Sequence, residues 1–292
     1  MKNLTQIDPF LYGYFENQSL EHGERVGLAL LCASKNLPVK FSRQLLPDTA
    51  FVTESGSSGY APSEGLWFSQ ENILKLSEEY PERKETLSYY IEEINIYRNK
   101  SKLLNSPITD ALNDSGAHWG GGWGGHGNPD YGRIINFGTD YIRSIIAENR
   151  NKHPQEAWFY NSCSYTLDAI DIFGERYREE ALKKAEECDN TEDKAFYLRM
   201  SKAFHTVPKK PAYDFMSAMC SFMLIFALDG SDSPGRFDQY MYPAYLKTEN
   251  KEEVIDLLDR LWDYFKDHRS WNLCISGSDE TYNDESNELT YA

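Results

Sequence analysis

The chain has 292 residues, of which 40% are hydrophobic and 26% charged, and its 46 acidic and 30 basic residues give a net charge of −16. That composition is globular, with enough apolar material for one large domain or two small ones. The acidic balance argues against a nucleic-acid partner and against an anionic membrane surface, because both are bound through clustered lysines and arginines.

Helical periodicity runs through most of the chain. Apolar residues recur every three or four positions and predict helices over residues 20–35, 70–80, 83–100, 130–149, 155–187, 192–204, 212–228 and 251–267. The stretch 38–68 is rich in proline, serine and glycine and predicts an irregular loop region. The sequence WNLCIS at 271–276 is typical of a strand.

The segment 212–228, AYDFMSAMCSFMLIFAL, is apolar nearly all the way round. It is short for a membrane span and contains Asp214, which favours a helix buried inside the protein. Such a helix must be covered on several sides, so we expect an architecture larger than this chain.

Residues 117–138, AHWGGGWGGHGNPDYGRIINFG, are the most informative stretch of the sequence. Glycine allows another group to approach the backbone closely, and His118, Trp119 and His126 project from this otherwise slender segment. Asp130 follows a proline at the predicted helix start, where its charge suits the positive end of the helix. The pattern predicts a substrate-facing loop. The alternative is a surface loop with its aromatic side chains tucked beneath it.

Metal and phosphate chemistry have little support in the sequence. The glycine-rich stretch lacks the Lys-Ser or Lys-Thr of a phosphate loop, and His118 and His126 lie eight residues apart with no acid between them. Residues 277–288 lack the D-x-[DN]-x-[DN]-G spacing of a calcium loop. The five cysteines contain no CxxC pair, and MKNLTQIDPF is no signal peptide. We expect no bound metal and a cytoplasmic protein.

A second cluster of charged and aromatic residues occupies 233–245. Arg236 and Asp238 flank Phe237, and Tyr240 follows closely. Two interpretations stay open: a buried Arg–Asp pair that braces a loop, or side chains that face a pocket.

Five motifs follow one another between residues 125 and 291. They are GH-x-PDY-x-x-II-x-x-G at 125–138, F-x-x-R-Y-x-x-x-A within 168–185, PKKPAYDFMSAM at 208–219, GR-x-DQ-x-x-x-P-x-Y at 235–245 and N-x-LTY within 286–291. Their sequence and order resemble those of the glycyl radical enzymes, the pyruvate formate-lyase family.

The resemblance implies a ten-stranded α/β barrel of two antiparallel half-barrels wrapped by helices. This predominantly helical α/β chain would then be, over residues 1–292, the N-terminal portion of a pyruvate formate-lyase-like domain, with half of that barrel. In the family a glycine near the C-terminus stores a radical, which a separate S-adenosylmethionine iron–sulfur activase installs, and a loop cysteine passes it to the substrate. The sequence has no RV-x-GY glycyl motif and no matching cysteine loop, so we expect it to be truncated before both.

The resemblance also implies a function in anaerobic metabolism: radical cleavage of a C–C or C–X bond in a small polar substrate, by a lyase or acyltransferase. The chain would contribute pocket walls without binding a cofactor and would be inactive alone. Its expected partners are the small-molecule substrate and either the missing C-terminal part or a second copy of the chain.

Three residues match pocket positions of the family, and the loop argument adds two more. The predicted substrate-binding residues are His126, Tyr240 and Tyr291 from the motifs and His118 and Trp119 from the loop, with Asp130, Arg236 and Asp238 as pocket support.

Two other functions remain open. One is a noncatalytic ligand- or partner-binding remnant of the same scaffold. The other is a helical carbohydrate-active enzyme that uses paired carboxylates such as Asp279 and Glu285, although no such pair stands out among the 46 acids.

Overall fold

The computed structural model describes residues 9–48, 70–92, 115, 129–229, 234–268 and 273–292. The chain divides into two compact units, one of Met1–Phe51 with Asn128–Ala292 and one of Val52–Gly127. In the described ranges the backbone is helical, with isolated β-bridges but no strand. The predicted strand at 271–276 is therefore wrong for its described part, where Cys274 forms only a single bridge with Arg236.

The larger unit is built from α-helices. They are α1 (Pro9–Phe15), α2 (His22–Asn36), α4 (Tyr131–Lys152), α5 (Ala157–Glu187), α6 (Thr191–Phe204), α7 (Phe215–Asp229), α8 (Phe237–Lys247) and α9 (Lys251–His268), followed by a 3₁₀ turn at Glu288–Tyr291. The smaller unit contains α3 (Gln70–Glu79), the 3₁₀ turn Pro81–Arg83 and helical backbone over 84–92.

The helices predicted at 20–35, 70–80, 130–149, 155–187, 192–204, 212–228 and 251–267 are confirmed within a few residues. The helix predicted at 83–100 is confirmed as far as residue 92, where the described range ends. Two helices were not predicted, α1 and α8. The second was hidden by the turn-forming sequence before it and by Pro243 inside it, since proline removes a helical hydrogen bond.

The longest helix, α5, forms the centre of the larger unit and packs against α2 and α6. Its buried side chains recur every three or four residues, as the periodicity predicted, at Leu167, Ile170, Phe173, Tyr177 and Ala181.

Helix α7 is buried along its whole described surface. Every side chain from 215 to 228 is buried, which confirms the prediction of an internal helix over this segment. No helix in the ranges that the structure describes is long and apolar enough to cross a membrane.

Helix α4 is kinked at Gly138, which has φ 80° and ψ 165°. At the kink the amides of Thr139 and Asp140 leave the helical pattern and donate to the carbonyls of Pro208 and Lys209, at 2.9 and 3.2 Å. The first motif of the sequence is thereby joined to the third, 70 residues further along the chain, through main-chain hydrogen bonds.

Candidate functional site

The first motif opens α4 in the way that the sequence predicted. Asp130 is the N-cap, and its side chain accepts a hydrogen bond from the amide of Arg133 at 3.0 Å. The same carboxylate pairs with the Arg133 guanidinium at 2.9 Å, although both side chains are more than half exposed. An exposed pair of this kind contributes little stability, so the role of Asp130 here is to start the helix.

Aromatic rings connect this helix start to α7 and α8. Tyr131 stacks on Tyr240 with ring centroids 5.6 Å apart. Phe222, which has no exposed surface, lies 5.2 Å from the Tyr131 ring, 5.2 Å from Phe237 and 6.2 Å from Tyr240. The first and fourth motifs therefore meet around one buried phenylalanine of α7, the helix whose start belongs to the third motif.

Helix α8 is joined to the end of the chain by side-chain hydrogen bonds. The end consists of a hairpin over residues 276–286, here called the C-terminal hairpin, and the 3₁₀ turn. Asp238 accepts from the amide of Ser276 at 2.8 Å and from the hydroxyl of Thr290. One position later, Gln239 donates to the carbonyl of Glu285 at 2.8 Å. The fourth and fifth motifs thus contact each other directly.

Arg236 and Asp238 hold the same residue of the C-terminal hairpin from two sides. The Arg236 guanidinium donates to the carbonyl of Ser276 at 3.0 Å, and Asp238 takes the amide of Ser276. Asp238 is 1% exposed, whereas Arg236 lies at the surface. The predicted buried Arg–Asp pair is not formed in the described part of the chain; each side chain instead braces the loop through Ser276. Pocket support by these two residues stays a prediction.

A cavity of about 600 Å³ lies between α8 and the end of the chain. It is lined by Gln239, Tyr242, Asp284, Glu285, Ser286, Asn287, Glu288 and Tyr291. Three of these side chains are carboxylates and none is a lysine or arginine. Hydroxyl, amide and carboxylate groups make the wall rich in hydrogen-bond acceptors and unfavourable for an anion.

The predicted site residues fall in three places. Tyr291 lies on the cavity wall and is 80% exposed. Tyr240 does not line the cavity; its hydroxyl donates to the carbonyl of Pro234 at 2.8 Å, and burial raises the pKa of this phenol. A substrate contact for Tyr240 stays a prediction. Three predicted residues lie outside the described part of the chain, namely His118, Trp119 and His126.

Two wall residues on α8, Gln239 and Tyr242, belong to the cluster at 233–245 but were not predicted to bind substrate. Tyr242 donates to the Glu288 carboxylate, a bond that lowers the pKa of Glu288 and raises that of the phenol. The four-residue spacing of Asp238 and Tyr242 places both on one face of a helix. This spacing could not be used because α8 was not predicted.

The turn of the C-terminal hairpin is closed by Asp279. Its carboxylate accepts from the amide and hydroxyl of Thr281, at 2.7 and 2.8 Å, and from the amide and side chain of Asn283, both at 2.9 Å. Bonds from Asn283 and then Thr281 lower the pKa of Asp279 to about 2. A carboxyl group that stays ionised at this level would act in a carbohydrate-active pair as the base or nucleophile and not as the general acid.

Acid should disorder this turn. Because the folded pKa of Asp279 lies below its ordinary value of 3.8, the carboxylate stabilises the turn above about pH 4 and loses that effect as the pH falls towards 2. We expect the Asp279 carboxyl signal to titrate near pH 2 in a nuclear magnetic resonance experiment. Asp279→Asn should abolish the accompanying shifts of the Thr281 and Asn283 amides. A midpoint near 4 would contradict the assignment.

In the described ranges no group of three or more histidine, cysteine, aspartate or glutamate side chains is placed to hold a metal ion.

Comparison with known proteins identifies the family. The pyruvate formate lyase-like family model matches residues 69–292. A curated relative, isethionate sulfite-lyase of Bilophila wadsworthia (strain 3_1_6), is 32% identical over 116 residues, which are 36% of this chain and 14% of the relative. The structure is also similar to that of a protein studied for 1,2-propanediol dehydration in Roseburia inulinivorans (TM-score 0.75, 21% identity, 98% of this chain and 42% of the other).

A glycyl radical enzyme from Archaeoglobus fulgidus gives a TM-score of 0.68 at 19% identity over 99% of this chain and 43% of its own. The chain thus spans less than half the length of the relatives that it matches. Since the family model covers residues 69–292 and includes all five motifs, the chain belongs to the pyruvate formate lyase-like family of glycyl radical enzymes.

Proposed function

We propose that the residues lining the cavity between α8 and the end of the chain form one wall of the substrate pocket of a glycyl radical enzyme. Such an enzyme breaks a C–C or C–X bond in a small polar substrate. The observation that supports this most is the meeting of the fourth and fifth motifs, through Asp238 and Thr290, beside a polar cavity. The fold similarity over 98% of the chain supports the glycyl radical enzyme fold, and half of a ten-stranded barrel stays a proposal, since the described ranges contain no strand.

The substrate that fits this wall best is a neutral diol or a similar polyol. Asp284, Glu285 and Glu288 would repel a sulfonate or carboxylate, whereas they accept hydrogen bonds from hydroxyl groups. Among the relatives, one acts in 1,2-propanediol dehydration and another is a lyase of isethionate, which is an anion. The charge of the cavity favours the first of these two kinds of substrate.

Within this proposal the wall residues have separate tasks. The Tyr291 hydroxyl and the Gln239 amide orient the substrate, and the Glu285 carboxylate accepts a hydrogen bond from one of the substrate's hydroxyl groups. In this proposal the loop residues His118, Trp119 and His126 also bind the substrate, and His126 can relay a proton because histidine titrates near neutral pH.

The radical groups belong to residues other than these 292, in a continuing or separate polypeptide that we propose as the partner. The sequence contains no RV-x-GY motif, and none of its five cysteines lies in a sequence that matches the cysteine loop of the family. A separate S-adenosylmethionine iron–sulfur activase would install the radical on that partner. The 292 residues are therefore inactive by themselves.

Ligand binding tests the pocket assignment. By ligand-observed magnetic resonance, 1,2-propanediol should bind the chain more tightly than isethionate, and Tyr291→Phe should weaken diol binding about fivefold through loss of one hydrogen bond. Tyr282→Phe is the matched control, because Tyr282 is 91% exposed in the C-terminal hairpin, which precedes the turn of Tyr291, but does not line the cavity. Equal effects of the two variants, or tighter binding of isethionate, would contradict the proposal.

Radical installation tests the assignment of the missing groups. When the purified chain is incubated without oxygen with the activase and S-adenosylmethionine, electron paramagnetic resonance should detect no stable organic radical. A full-length relative treated with the same activase provides the positive control. A persistent radical signal on the 292-residue chain would show that it contains a storage site of its own.

A further inference from the structure

The hydroxyl of Thr290 makes two hydrogen bonds in opposite senses. It donates to the buried Asp238 carboxylate and accepts from the amide of Asn287 at 3.0 Å. The Asn287 side chain in turn accepts from the amides of Leu289 and Thr290, at 2.9 and 3.3 Å, which completes a reciprocal cap of the 3₁₀ turn. A single hydroxyl therefore joins the cap of the turn to helix α8.

The acceptor of this bond is rigidly placed. Asp238 is 1% exposed and also holds the amide of Ser276 through the same oxygen, Oδ2. Its other oxygen, Oδ1, has no hydrogen-bond partner among the described residues. Loss of the Thr290 hydroxyl would leave this buried carboxylate with one donor, so the turn has a strong energetic reason to stay in contact with α8.

The turn that Thr290 fixes carries two groups of the cavity wall. Glu288 accepts a hydrogen bond from the Tyr242 hydroxyl at the cavity wall, and Tyr291 is the next residue after Thr290. We infer that Thr290 is a positioning residue: through Asp238 it sets where Glu288 and Tyr291 stand in the pocket. This inference rests on the proposed function for its consequence in substrate binding, and on the geometry alone for the positioning.

Two substitutions at Thr290 distinguish the effect of its hydroxyl group from the effect of its side-chain volume. Thr290→Val keeps the volume and removes both hydrogen bonds, whereas Thr290→Ser keeps the hydroxyl. The reporter is the chemical shift of the ¹³C-labelled Tyr242 ring. The Glu288→Gln variant gives the shift of this ring when no carboxylate accepts its hydrogen bond. We expect the valine variant to move this signal to the calibrated position and the serine variant to leave it unchanged.

Several controls keep the result decisive. The ring signal of Tyr177, which donates to the carbonyl of Asp48 elsewhere in the fold, should not move in any variant. Asp238→Ala should shift Tyr242 as Thr290→Val does, and combining the two should move the Tyr242 signal no further, because both variants break the Thr290–Asp238 bond although each also removes one other bond. If the valine variant does not fold, Thr290→Ala replaces it in the same comparison.

The two proposals can fail separately. Diol binding should fall at least fivefold in Thr290→Val and stay at the wild-type level in Thr290→Ser. A wild-type chain that binds no diol would defeat the proposed function, while the Tyr242 signal would still decide the positioning role. An unmoved Tyr242 signal in Thr290→Val, or an equal shift in Thr290→Ser, would overturn the inference.

Discussion

Replacing Phe222 with alanine should lower the free energy of unfolding by about 3–5 kcal/mol, the usual range for a fully buried phenylalanine. The ring has no exposed surface and contacts aromatic side chains of α4, α8 and α9, namely Tyr131, Tyr240, Phe237 and Phe265. Because the ring is contacted by several helices, its removal leaves a cavity that these helices fill only in part. Chemical denaturation followed by circular dichroism measures the effect.

An exposed phenylalanine provides the matched control for this substitution. Phe137 on α4 is 52% exposed and stacks only on Tyr141, with ring centroids 5.0 Å apart among the described contacts. Phe137→Ala should therefore cost less than about 1 kcal/mol. If Phe222→Ala were equally mild, the buried meeting point of the motif segments would not exist as described.

Replacing Gly138 with alanine should destabilise the protein by about 3 kcal/mol or more, from two causes that add. Its backbone, at φ 80° and ψ 165°, lies in a region that is nearly exclusive to glycine. An added Cβ would stand 2.4 Å from the carbonyl oxygen of Lys209, which is backbone and cannot swing away. Relief of this clash requires α4 to release the main-chain bonds that join it to the Pro208 turn.

The control for Gly138→Ala is Ser144→Ala on the same helix. Ser144 is exposed, and its hydroxyl only donates back to the carbonyl of Tyr141. We expect a change within about 0.5 kcal/mol, since alanine is the better helix former. The shift of the thermal midpoint measures both variants, and a stable Gly138→Ala protein would contradict the described kink.

The helices could be predicted from the sequence because their physical cause is local. In α5 the buried side chains recur with the helical period, and in α7 the apolar composition alone required burial on all sides. Helix α8 was missed because Pro243 and the turn residues before it oppose helix formation locally. In the folded protein, tertiary contacts on both sides of α8 outweigh this unfavourable local preference.

The candidate site could be predicted only in part, since it depends on contacts between distant residues. Asp238 was named as pocket support, but its partner Thr290 lies 52 residues away and no periodicity connects the two. Tyr240 was predicted to face the substrate. On a helix it points about 200° away from Asp238, towards Phe222, while Tyr242 stands nearly above Asp238 and faces the cavity.

We propose that the polar cavity beside the meeting point of the fourth and fifth motifs binds a small neutral ligand. The decisive measurement is a crystal structure of the chain grown with 1,2-propanediol. We predict diol density within hydrogen-bond distance of Gln239 and Tyr291, with Asp238 bonded to Thr290 behind it. Diol bound on another surface, or a C-terminal hairpin detached from α8, would rule this binding site out.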